Sequence, residues 1–143
     1  MVIVLERHYA VLTELFAGCE ILVVTCTWSE CPEPAPPSEL DLRINPHGVF
    51  WTTLLYNDDP DPELRTYIHL SVDLVSWKPG SIDPLLRAVA DDEAGGVMIA
   101  TQDLRRIYHP YDGGADVLLE DAAQRDRLRA RHPDWLSAHP QGL

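Results

Sequence analysis

Ile107-Tyr108-His109-Pro110-Tyr111-Asp112-Gly113-Gly114-Ala115-Asp116-Val117-Leu118-Leu119 is the stretch whose reading decides the fold. Asp112-Gly113 between two apolar segments is a hairpin signal: a type I′ turn needs positive φ at both central residues, and Asp and Gly tolerate it. Gly114 adds slack for a bulge. Pro110 keeps His109 out of the helical region. A tight hairpin joins antiparallel strands, so this part of the chain predicts an antiparallel sheet.

Working upstream, Val97-Met98-Ile99-Ala100 reads as a short strand after the Gly95-Gly96 break. Ser81-Ile82-Asp83-Pro84 starts a helix, with Asp83 as cap, Pro84 at the first helical position, and Leu85, Leu86, Val89 and Ala90 inward. Asp91-Asp92-Glu93 sits badly against the dipole at a helix C-terminus, so either the helix ends early or the acids serve a cation or a partner. Thr66 to Trp77 is a strand. Its apolar set (Ile68, Leu70, Val72, Leu74) is expected to face the core, and Tyr67, His69, Ser71 and Asp73 to face away.

Val49 to Tyr56 is a strand entered through Asn45-Pro46-His47-Gly48, and an acidic connector follows over 57–63. Four prolines between Ser29 and Ser38 make that segment a loop. Glu20 to Trp28 is an internal strand rich in β-branched residues. Residues 4–17 form a helix with a stripe of Val4, Leu5, His8, Val11, Leu12, Leu15 and Phe16, ended by Gly18. Downstream, Ala115 to Leu119 is the last strand. Asp121 caps a mostly solvated helix from about Ala122 to Arg131, and Asp134 caps a final turn with Trp135 and Leu136.

The order α-β-β-β-α-β-β-α, with short links, predicts an α+β fold: a two-layer α/β sandwich with a mostly antiparallel sheet. A length of 143 residues fits a single domain, 1–143, with a Pro-rich loop at 29–38 and a flexible tail at 137–143. No apolar run is long enough to span a membrane, and the N-terminus lacks the pattern of a signal peptide, so a cytoplasmic address is expected. Ten of the eleven Lys/Arg are Arg, a codon bias that points to a bacterial genome.

Charge bounds the partners. The net charge is −12, with 16 Asp/Glu against 5 Lys/Arg over residues 1–96 and 7 against 6 over 97–143. An acidic body repels phosphate backbones and anionic lipid, so neither nucleic acid nor membrane is expected, and a basic protein is the better partner. Cys19, Cys26 and Cys31 match neither a disulfide framework nor a zinc knuckle.

The 107–119 segment is also the densest in chemistry. The structural reading, which carries most weight, packs Tyr108 and Tyr111 across the strands, gives His109 a hydrogen bond, shapes the turn with Asp112, and has Asp116 cap or pair with one of the nearby arginines. Three functional readings stand beside it. His109, Asp112 and Asp116 have the donor atoms of a metal site. His109 polarised by a carboxylate suits acid–base chemistry, although no nucleophile elbow, P-loop or dinucleotide fingerprint accompanies it. Tyr108, Tyr111, Arg105, Arg106 and Trp135 are residue types enriched at binding hot spots and suit a recognition patch.

Ile107-Tyr108-His109-Pro110-Tyr111-Asp112, then Asp116-Val117, then Asp134-Trp135-Leu136, resembles the C-terminal part of the bacterial family known as domain of unknown function 3885. The likeness covers about 30 residues, with Gly113-Gly114-Ala115 replacing an Asp-Arg-Gly turn. It implies a fold and no reaction. The function expected from the sequence is therefore a non-enzymatic interaction domain, immunity- or antitoxin-like, whose acids at 58–63 and 91–93 meet a basic partner. No cofactor is expected. The alternative is a small hydrolase or metal-dependent enzyme at the His109–Asp116 hairpin.

Overall fold

The computed structural model describes residues 2–135. The tail expected over 137–143, and Leu136, lie outside the described residues. The elements are α1 (Val2–Phe16), β1 (Glu20–Ser29), α2 (Glu39–Ile44), β2 (Val49–Asn57), β3 (Thr66–Ser76), α3 (Asp83–Ala90), β4 (Met98–Thr101), β5 (Ile107–Tyr111), β6 (Gly114–Leu118) and α4 (Ala122–Arg131). Short 3₁₀ turns at Pro62–Leu64 and Pro133–Trp135 complete the list.

The six strands form one sheet in the order β2-β3-β1-β4-β5-β6. Every pairing is antiparallel. The α+β sandwich is as expected, with two additions. Ile107–Tyr111 is a full strand paired to both β4 and β6. The helix α2 follows the prolines directly, held by a capping box in which Ser38 Oγ accepts from Asp41 N at 3.1 Å and Ser38 N donates to Asp41 Oδ2 at 2.8 Å. Ser-x-x-Asp was its sequence signal, masked by the preceding prolines.

The helix α1 buries Leu5, His8, Leu12, Leu15 and Phe16, spaced so that they share one stripe. Val4, expected in that stripe, is exposed. Gly18, at φ +73, turns the chain out of the helix into β1. The helix α3 starts at Asp83, so Ile82 is the flanking cap residue, without a side-chain hydrogen bond. Asp83 instead accepts from the Tyr9 hydroxyl. The helix stops at Ala90, ahead of the acids, and Asp92 takes φ +57 to end it.

The core lies between α1, α3 and one face of the sheet, where Ile21, Val23, Ile99, Tyr108, Leu85, Leu86 and Val89 are buried together. Register then decides the sides of β3. Ile21 pairs with Val75 and Val23 with Asp73, and paired residues share a face. The helix side of β3 therefore carries Tyr67, His69, Ser71, Asp73 and Val75. Ile68, Leu70, Val72 and Leu74 point to the opposite face, the reverse of the expectation. His69 is buried on the helix side, with Nδ1 at 2.8 Å from Thr53 Oγ1 and Nε2 at 2.7 Å from Ser29 Oγ, so its ring ties β1, β2 and β3 together.

Candidate functional site

The β5–β6 hairpin is built on alternation. Tyr108 and Pro110 point into the core, and His109 and Tyr111 to the open face. Across the ladder His109 pairs with Asp116 and Tyr111 with Gly114. The Tyr111 hydroxyl donates to Asp116 Oδ1 at 3.3 Å, and the His109 and Tyr111 rings meet edge to face at 6.0 Å. Burial and then the Asp116 carboxylate hold the Tyr111 phenol above its ordinary range. Gly114 leaves room for the Tyr111 ring: a Cβ there would lie 3.1 Å from it, close enough that the ring would have to shift. At the turn only Gly113 has positive φ, which excludes the expected type I′ geometry.

The candidate residues are thus divided. His109, Tyr111 and Asp116 come together, and Asp112 stands apart in the exposed turn. Among the described residues no group of three or more His, Cys, Asp or Glu side chains is placed to hold a metal ion. Tyr108 lies in the core, its hydroxyl 2.5 Å from His8 Nδ1. Burial lowers the His8 pKa and raises that of Tyr108, which favours the neutral form of both. Arg106 Nη1 donates to Leu15 O at 2.7 Å, satisfying a carbonyl at the end of α1. Arg105 pairs with Glu120 at 3.3 Å on the surface. Trp135 stacks on His132 at 4.1 Å with Arg7 over its ring, on the α1 side of the molecule. The expected patch of Tyr108, Tyr111, Arg105, Arg106 and Trp135 is therefore not one surface.

Two features emerge from the tertiary structure: one was not singled out from sequence, and the other joins acids that the sequence had marked at 58–63 and 91–93 to a third segment. The first is the open face of the sheet. It carries Leu22, Val24, Cys26 and Trp28 from β1, Ile68, Leu70, Val72 and Leu74 from β3, Leu54 from β2 and Met98 from β4. Trp28, Leu54, Leu74 and Met98 are exposed, and among the described residues the helices of the core cluster lie on the other side. Contiguous exposed apolar surface of this kind is uncommon on a globular protein. The Cys26 thiol lies partly buried here beside Gly95 O, and burial pushes its pKa up to about 11, the signature of an inert thiol.

The second is a gathering of acids. The antiparallel directions place the exit of β1, the β2–β3 link and the entry to β4 at one end of the sheet. Glu30 and Glu33, then Asp58, Asp59, Asp61 and Glu63, then Asp91, Asp92 and Glu93 arrive there from three separate segments. Arg65 lies 3.9 Å from Asp58, and Arg43 reaches Glu93 at 2.5 Å. Beside them a cleft of about 220 Å³ opens between β1 and α2, lined by Cys26, Trp28, Asp41, Ile44 and Glu93 among others.

Fold and surface together define an α+β sandwich with helices on one sheet face and an apolar opposite face. The chain belongs to the family described as Domain of unknown function (DUF3885), whose model matches residues 1–140. The likeness seen in the last third of the sequence therefore extends over essentially the whole chain. No curated protein and no solved structure matches it.

Proposed function

We propose that this chain is a non-enzymatic interaction domain that seats a basic protein, in the manner of a bacterial immunity or antitoxin protein of the cytoplasm. The observation that carries the reading is the apolar face of the sheet opposite the helices. Leu70, Val72 and Val24 at its centre are flanked by the exposed Trp28, Leu54 and Leu74. This matches the make-up of a binding surface, with an apolar centre and larger side chains around it. The acids at one end of the sheet set the sign of the partner, because a concentrated negative field speeds encounter with a cationic surface and suppresses anionic competitors.

The test is a pull-down from the lysate of the host cell at low and at high salt. Wild type is run beside Leu74→Lys and beside a triple Asp58→Asn, Asp59→Asn, Asp61→Asn variant. The expected result is a basic partner retained at low salt, released at high salt and lost by both variants. A partner held equally at both salt levels, one indifferent to both variants, or none at all overturns the reading.

A further inference from the structure

The strand β2 is an edge of the sheet, and its sequence Val-Phe-Trp-Thr-Thr-Leu-Leu-Tyr-Asn holds no charge and no proline. Among the described residues only β3 packs against it to any extent. Phe50, Trp51 and Tyr56 are 49%, 58% and 68% exposed, and Val49, Leu54 and Leu55 are exposed as well. Its two faces are both apolar: Phe50 and Leu55 share the side of His69, and Val49 and Leu54 the side of Leu70. Soluble proteins blunt such an edge with lysine, proline, inward charge, a β-bulge or a short strand, because unpaired backbone N–H and C=O groups template a further strand; of these β2 has only the register shifts at Trp51 and Tyr56. The opposite edge is blunted in this way: β6 has five residues and carries Asp116. The edge at β2 has nine residues and carries none of these side chains.

We infer that β2 pairs antiparallel with β2 of a second copy of this chain, joining two sheets across a two-fold axis. A second copy fits better than a cationic partner because the strand itself holds no carboxylate for a cation to pair with, and an identical neutral strand meets it without like charges at the seam. Charge also sets the orientation. The C-terminal end of β2 runs into Asp58 and Asp59, and the N-terminal end follows Asn45-Pro46-His47-Gly48, which has no carboxylate. Antiparallel pairing lays each acidic end beside the other copy's His47 turn, whereas parallel pairing stacks acid on acid.

Register shifts at Trp51 and Tyr56 bracket a regular run, Thr52 to Leu55, on which the pairing centres. Aromatic side chains bury about 150–250 Å² each when covered, so the exposed parts of Phe50, Trp51 and Tyr56 offer roughly 350 Å² per copy, or about 700 Å² over both copies, before aliphatic and backbone surface is added. A stable interface needs about 1,000 Å² or more, a size this edge can approach. A two-fold, self-complementary contact is also the commonest route to a homodimer. The inference shares Leu54, Asp58 and Asp59 with the basic-partner reading but rests on a different feature, the unpaired backbone edge of β2.

The experiment is sedimentation velocity of the full chain over a wide concentration range, with hydrogen exchange on the same samples. Wild type is expected to dimerise, with amide exchange over 49–57 slowing as concentration rises and that over 114–118 unchanged. Leu55→Lys and Trp51→Lys, both at exposed positions, are each expected to raise the dimer Kd roughly tenfold or more with the thermal melt preserved. Leu74→Lys, on the open face of β3 beyond the last residue paired with β2, is expected to leave it unchanged. A wild type that stays monomeric overturns the inference, as does a dimer indifferent to both edge variants or one that Leu74→Lys dissociates.

Discussion

Replacing Tyr108 by Phe removes one oxygen from the core and leaves the ring. Tyr108 is 2% exposed and His8 6%, and their 2.5 Å hydrogen bond joins α1 to β5. The edge-to-face ring contact, with centroids 5.8 Å apart, survives the substitution. What is lost is the partner of a buried imidazole nitrogen. An unsatisfied buried polar group costs about 1–3 kcal/mol, which for a chain of this size lowers Tm by about 3–10 °C. His8→Leu alone strands the phenol in the same way. The double variant His8→Leu, Tyr108→Phe removes both polar partners and is expected to cost less than the two single changes added together, by more than the ~0.5 kcal/mol scatter of independent sites.

Acid sharpens the test. Burial holds the His8 pKa below its ordinary 6.5. As pH falls through 6.5 the unfolded chain takes up a proton that the folded chain resists, so this group's stability contribution, complete above pH 6.5, declines down to the folded pKa. The slope is at most about 1.4 kcal/mol per pH unit. Urea unfolding of the four proteins at neutral and mildly acidic pH measures both effects. Additive single changes, or a His8→Leu protein whose stability between pH 7 and 5.5 falls as steeply as wild type, would refute the pairing.

Three other substitutions or treatments read different parts of the structure. Gly96→Ala places a Cβ 2.5 Å from Cys26 Sγ at φ +66, and a melt should show a loss of about 1–3 kcal/mol; an unchanged melt contradicts the close approach of β4 to β1. Alkylation followed by mass spectrometry should label the exposed Cys31 well before Cys26, whose thiol, at a pKa of about 11, is only about one part in a thousand thiolate at pH 8. Ser38→Ala removes the cap of α2 and should cost about 1 kcal/mol while hydrogen exchange rises over 39–44; protection equal to wild type would show that packing, not the cap, holds the helix.

Much of the fold was legible because its signals are local. The apolar stripe of α1, the Gly18 stop, the β-branched run of β1 and the Asp112-Gly113 turn each act within a few residues, and each sits where periodicity and turn chemistry placed it. The early end of α3 was legible too, as one of two outcomes allowed by acids at a helix terminus. The candidate site was legible only in part. His109, Tyr111 and Asp116 share a face because alternation and a two-residue turn demand it. Arg106 and Trp135 belong elsewhere because their partners, Leu15 and Arg7, lie in α1.

By itself the sequence determined where most helices and strands lie, α2 and β5 excepted, that the sheet is antiparallel, that the chain is strongly acidic, and to which family its hairpin points. Only the tertiary structure decided which face of that sheet the helices cover. Period-two patterning says that the two faces of β3 differ, and the natural inference puts the apolar one inside. Register against Ile21 and Val23 puts it outside, because β1 is apolar on both faces and admits helices on either. The same long-range pairing brings acids from three separate segments to one end of the sheet and leaves β2 at its rim. Those outcomes depend on strand order and direction, which no window of a few residues contains.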